Sequence, residues 1–241
     1  MKRSALLFVV LFPLLSLSCH RRASLTPFDL RCEYVTDPTG LDVSVLRPRL
    51  SWRLPGDVPG QRQTAWQVLA ASSPGLLDPD HADLWNSGTV VSGQSVQVVY
   101  GGRSLRPRQE VWWKVRIWDR HGRVSAWSDA ARWETGIHPS RWQAAWIGSP
   151  VMPPRKPGGP NPAYHFRKTF SLTSPPRKGR AYISGLGYHE LYINGHRVGN
   201  HVLSPHQSNY TYRDTGRFPF KEVRHMSYRV YYETYDITPY L

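Results

Sequence analysis

Tyr188, Glu190, Tyr192 and Asn194 share one parity within Arg180 to Asn200, RAYISGLGYHELYINGHRVGN. Alternate side chains of a regular strand point to one face, so these four offer two rings and several hydrogen-bonding groups to a sugar. The same pattern fits a plainer and preferred reading, in which Tyr188 and Tyr192 belong to the core and Asn194 supplies the positive φ of a turn. Other chemistry is thinly represented. Acid–base cleavage of a glycosidic bond needs two carboxylates flanking it. Glu190, Asp214, Glu222, Glu233 and Asp236 fall in strand and turn segments where solvation or backbone capping accounts for them. No catalytic residue is assigned. His189, His196, His201, His206 and His225 are scattered through hairpins without the H-E-x-x-H spacing, and Cys19 and Cys32 are too few for a metal site. Gly185-Leu-Gly187 lacks the third glycine and the helix of a nucleotide fingerprint, and there is no G-x-S-x-G elbow. No metal and no cofactor is expected.

The elements that would position these residues are strands. Leu191 to Ile193 is an apolar run stopped by Asn194-Gly195, a strong hairpin signal. Ten Trp and 13 Tyr beside 19 Gly and 21 Pro favour pleated strands and tight turns over helices. From Phe28 to Ile137 short apolar runs recur at sandwich spacing: Leu30 to Val35, Leu50 to Leu54, Trp66 to Ala71, Leu84 to Ser87, Ser95 to Tyr100, Val111 to Trp118 and Ala131 to Thr135. In Val111 to Trp118 the alternation predicts Val111, Trp113, Val115 and Ile117 in the core, with Trp112, Lys114, Arg116 and Trp118 on the other face. Residues 138–163, containing MPPRKPGGPNP, read as a linker. The pattern restarts at Tyr164 with a strand over His165 to Phe170, and residues 164–241 form a second module. The net charge of +14 is spread at strand and turn spacing with no basic block or helix, which points to solvated faces and away from nucleic acid.

Residues 1–19 read as an export signal: Lys2 and Arg3, then an apolar core from Ala5 to Leu17 too short to span a bilayer, then Ser18-Cys19. Ser16-Leu17-Ser18-Cys19 resembles a bacterial lipoprotein junction, which implies lipidation at Cys19 and anchoring to the bacterial envelope. The alternative is ordinary cleavage near Ser18, giving a periplasmic or secreted chain in which Cys19 and Cys32 are free to pair.

Leu105-Arg-Pro107-Arg-Gln109-Glu-Val111-Trp-Trp113-Lys-Val115-Arg-Ile117 resembles the fibronectin type III rhythm, and Ser125-Ala-Trp127-Ser128 the turn before the last strand of such modules. In those modules Trp and Arg side chains stack in a ladder, so these residues are weighted as structural. Val111 stands where a corner tyrosine is usual, so packing must fix that corner. Gln63-Thr-Ala-Trp66-Gln-Val68-Leu69, Leu84-Trp85-Asn-Ser-Gly88, Trp142-Gln-Ala-Ala-Trp146-Ile147-Gly148, the Gly-Leu-Gly-Tyr block and Tyr232-Glu-Thr-Tyr235-Asp236-Ile237-Thr238 together resemble, in order, the N-terminal region of bacterial α-L-rhamnosidases. The resemblance implies an all-β chain: a fibronectin III/immunoglobulin-like sandwich over 28–137 and an incomplete, jelly-roll-like sandwich over 164–241. It implies an accessory, non-catalytic part of a glycoside hydrolase acting on terminal α-L-rhamnosides, whose catalytic helical barrel lies elsewhere in full-length relatives. Its partners would be rhamnose-containing glycan and, through Cys19, the membrane. A stand-alone cell-surface carbohydrate-binding or adhesion protein is the alternative.

Overall fold

A computed structural model describes residues 25–43, 45, 47–56, 59–150, 163–206 and 230–241. The expectations on residues 1–19, Cys19, Met152 to Pro162, Asp214 and Glu222 lie outside the described residues. Thirteen described strands run in chain order: β1 Phe28–Cys32, β2 Thr39–Leu41, β3 Arg49–Arg53, β4 Gln63–Ala71, β5 Trp85–Asn86, β6 Val90–Val91, β7 Val98–Val99, β8 Glu110–Asp119, β9 Ala131–Thr135, β10 Arg180–Ile183, β11 Leu191–Ile193, β12 His196–Val198 and β13 Glu233–Asp236. The only helical elements among the described residues are single 3₁₀ turns, so the chain is all-β.

Strands β1 to β9 form one two-sheet sandwich. One sheet has the order β1-β3-β7, the other β2-β9-β8-β4-β5, with β6 also on β4. The second sheet is built on β8, which pairs antiparallel with β4 from Trp112↔Ala71 to Asp119↔Gln63. The alternation read from the sequence holds: Val111, Trp113, Val115 and Ile117 are all fully buried. Opposite them stand Leu50 and Trp52 of β3 and Val98 of β7. Aromatic rings link the two sheets edge to face, Trp52–Trp66 at 5.9 Å, Trp85–Tyr100 at 5.2 Å and Tyr100–Trp133 at 5.7 Å between centroids, the arrangement their quadrupoles prefer. The buried Gln63 side chain is satisfied, because it accepts from Trp52 Nε1 at 3.0 Å and donates to the Gln94 carbonyl at 2.8 Å.

Two details complete the module. Tyr100 supplies the backbone pin that Val111 cannot, its hydroxyl donating to the Arg103 carbonyl at 3.0 Å. In the Ser125-Ala-Trp127-Ser128 segment both serine hydroxyls accept amides of β8, Ile117 N–H at 3.0 Å and Val115 N–H at 3.1 Å. That fastening carries Trp127 over the outer face, where Arg116 lies 4.6 Å from the Trp127 ring and 5.3 Å from the Trp118 ring. Arg116 also donates to Gln67 at 2.9 Å, so the cation is held by geometry as well as by the rings.

From residue 163 onward the described sheets are small: β10 pairs β13, and β11 pairs β12 through the Asn194-Gly195 turn, where φ is 51° and 83°. The strand expected over His165 to Phe170 is not formed. Those residues have no strand assignment, are exposed and pair with no described strand, so their backbone groups have no sheet partner here.

Candidate functional site

Tyr188 and Glu190 in the segment leading into β11, Tyr192 within β11 and Asn194 at the turn are all exposed. The core reading of the tyrosines does not hold, since Tyr188 is 63 % and Tyr192 55 % exposed. The inward parity is instead taken by Leu191 and Ile193, which are only half-buried. Asn194 differs from the other three: it occupies the left-handed turn position and its Nδ2 donates to the Tyr240 carbonyl at 2.9 Å, which ties the turn to the C-terminal segment. It is therefore committed to structure, and the group free to meet a ligand is Tyr188, Glu190 and Tyr192.

Glu190 organises this face. Its carboxylate accepts from the Tyr192 hydroxyl at 2.9 Å and lies 3.2 Å from the Arg197 guanidinium across the hairpin. The bond to Glu190 favours the protonated phenol and raises the Tyr192 pKa. A ring flanked by a carboxylate and a guanidinium gives an apolar plate with both donors and acceptors at its rim, the mixture that suits a sugar's C–H face and its hydroxyls.

Arg197 leads inward to residues that local spacing did not single out. It donates to the His201 carbonyl, and His201 Nδ1 sits 3.0 Å from a Glu233 oxygen. Glu233 is largely buried and also accepts from the hydroxyls of Ser204 and Tyr235. Burial pushes its pKa upward, but the hydrogen bonds from Ser204, Tyr235 and His201 outweigh that, so it is held below the ordinary carboxylate value and stays ionised. His189 closes the group with Nε2 3.3 Å from the Tyr235 hydroxyl; burial lowers its pKa, which keeps the ring neutral. Glu233 and His201 are 32 positions apart, so no local motif announces the pair. Every acceptor of Glu233 is occupied by a donor of this chain, which makes the cluster a brace between β13 and the 201–205 turn. Among the described residues no group of His, Cys, Asp and Glu is placed to hold a metal ion.

Other carboxylates are similarly engaged. Glu33 binds Arg49 at 2.6 Å, Asp119 binds Arg123 at 2.7 Å, and Glu134 binds Arg180 at 3.0 Å and Lys178 at 2.8 Å.

Comparison with known proteins places this geometry in context. Residues 27–139 match the family described as Rha78A-like, N-terminal immunoglobulin domain, and residues 174–216 match the alpha-L-rhamnosidase N-terminal domain. An alpha-L-rhamnosidase of Formosa agariphila is 33 % identical over 214 residues, 80 % of this chain and 21 % of the relative. One of Streptomyces avermitilis is 38 % identical over 184 residues, 69 % of this chain and 18 % of the relative. The solved alpha-L-rhamnosidase of Dictyoglumus thermophilum superposes with a TM-score of 0.70 at 32 % identity, covering 90 % of this chain and 24 % of that one. The chain thus spans about a fifth of the length of the curated relatives it matches.

Proposed function

With residues 27–139 an immunoglobulin domain of the α-L-rhamnosidase type and residues 174–216 matched to the N-terminal domain of the same enzymes, we propose that this chain serves as an exported, non-catalytic accessory region of an α-L-rhamnosidase-like glycoside hydrolase. The observation that carries the reading is the succession of these two domains in one chain, in the order found in the relatives. Glu190, Glu233 and Asp236 each accept from groups of the same chain, which fits structural roles for them. The reaction itself would be carried out by a catalytic barrel, acting on terminal α-L-rhamnosides of glycans or glycosides, with this region packed beside it.

The Tyr188, Glu190 and Tyr192 face is the place where the accessory region would touch rhamnose-containing glycan. It also gives the second reading, a stand-alone carbohydrate-binding or adhesion protein, its specific support. For the envelope location, burial of Cys32 is the supporting observation. Cys32 is 1 % exposed in β1 and burial raises its thiol pKa, so the folded chain holds it as an unreactive thiol. Cys19 is then left to the acylation that the Lys2-Arg3 start and the Ser18-Cys19 junction suggest.

The test is hydrolysis of an aryl α-L-rhamnoside by the purified chain, in parallel with titration of a rhamnose-containing oligosaccharide followed by NMR shifts. No turnover is expected. Turnover that survives purification and is lost in Glu190→Gln or Glu233→Gln would overturn the accessory reading. Strong oligosaccharide binding by a chain that functions in cells without any barrel would shift the conclusion to the stand-alone binder.

A further inference from the structure

Glu110 of β8 and Glu134 of β9 are direct cross-strand partners. Like charges directly opposite on paired strands repel; Arg132 of β9 lies 3.5 Å from Glu110, whereas Glu134, 1 % exposed with the second segment in place, draws its cations from that segment. The second segment resolves it. Lys178 Nζ lies between the two carboxylates, 3.1 Å from Glu110 and 2.8 Å from Glu134. Arg180, at the first position of β10, donates to Glu134 from Nε at 3.2 Å and from Nη2 at 3.0 Å, and its Nη1 reaches Asp236 of β13 at 2.7 Å. One buried carboxylate is therefore answered by two cations from about 45 residues further along the chain.

Shape at the same place is as specific as charge. A Cβ at Gly136, just after β9, would collide with the Tyr232 hydroxyl, and a Cβ at Gly40 in β2 would collide with the Thr234 side chain. The Ile137 amide bonds to Tyr232. The Tyr232 ring is packed 5.6 Å from Trp142 and 6.2 Å from Tyr182, and Arg108 lies 5.9 Å from the Tyr182 ring. A two-stranded ribbon such as β10–β13 is marginal in water without a surface to pack on. Here the surface is present.

We propose that the facing pair Glu110 and Glu134, with the glycine clefts at Gly40 and Gly136, is a docking socket whose occupant is the Lys178 to Ile183 and Tyr232 to Asp236 portion of the same chain. Strands β10 and β13 keep their structure only while seated on the immunoglobulin domain, and the candidate sugar face is oriented by that seat.

Hydrogen exchange on the full chain reads this directly. Gly136→Val, which fills the cleft, and the double variant Lys178→Gln/Arg180→Gln, which empties the socket, should each speed exchange of amides in Arg180–Ile183 and Glu233–Asp236 at least tenfold, while amides of Val111 to Trp118 change less than twofold. The milder Glu110→Gln/Lys178→Gln pair removes the repulsion together with its answer and should fall between these and the native chain. Unchanged exchange in β10 and β13 in all three variants would overturn the proposal, as would equal acceleration in β8 and β13, because seating would then not be a local property of this seam.

Discussion

The Tyr192 hydroxyl donates to the Glu190 carboxylate across 2.9 Å on an exposed hairpin face, so ring and charge are held in one arrangement before any ligand arrives. Removing the plate should therefore affect recognition more than folding. Tyr188→Ala/Tyr192→Ala is expected to weaken binding of a rhamnose-containing oligosaccharide in an NMR titration while changing stability by only about 0.5 kcal/mol per site, the usual range for surface positions. A loss of several kcal/mol in a urea melt would mean that the tyrosines are core after all.

Cys19 provides the second test. Cells fed a fatty-acid analogue should label the native chain and leave Cys19→Ala unlabelled, because stable anchoring takes more than one acyl chain and a lipoprotein cysteine receives them at one residue. Equal labelling of the two chains would exclude the anchor.

A pH dependence follows from Asp119, a fully buried residue at the end of β8. Burial opposes its ionisation, but the Arg123 amide and side chain and the His121 amide together hold its pKa below the ordinary 3.8. A carboxyl whose folded pKa is depressed contributes stability that is present above the unfolded value and is lost as pH falls through the folded one. Asp119→Asn should accordingly cost about 2 kcal/mol at pH 7, the scale of hydrogen bonds to a charged group. The difference from the native chain in denaturant melts should shrink below about pH 3.8. A gap that stays constant down to pH 2 would contradict this account.

Packing gives the largest expected effect. Trp113 is fully buried and its ring lies 6.3 Å from that of Trp133. Trp113→Ala should cost about 3–5 kcal/mol in equilibrium unfolding, from lost burial plus the cavity left behind. Arg116→Ala, by contrast, should cost about 1 kcal/mol, since the cation–π stack lies on a half-exposed face.

The parts of this chain that were legible in its sequence are those whose signal is local. The alternation of β8 is visible because one face is core and the other is not, and the Asn194-Gly195 turn is visible because few residues accept positive φ. The short strands β2 and β6 were missed because three residues around a glycine, or two valines, carry no period. The strand read over His165 to Phe170 shows the opposite error, two phenylalanines in a segment with no described partner to hydrogen-bond. At the candidate site the parity of Tyr188, Glu190 and Tyr192 was readable. Whether that parity faced inward or outward was not, since it depends on where Leu191 and Ile193 find cover. The Glu233 brace and the Lys178–Glu134 seat join residues 32 and 44 positions apart, and only the folded chain brings them together.

β2 is the end strand of the larger sheet, and β13 lies beside it, closest where Thr234 meets Gly40. An uncovered end strand offers unpaired amides and carbonyls to any passing chain, which is how folded β proteins begin to aggregate. Here that end is only three residues long, carries a glycine at φ 83° and is shielded by β13, while the opposite end, β5, is only two residues long. Dislodging β13 would thus do more than loosen a ribbon: it would bare the β2 edge to pairing with a second chain, a loss from solution that rises with concentration.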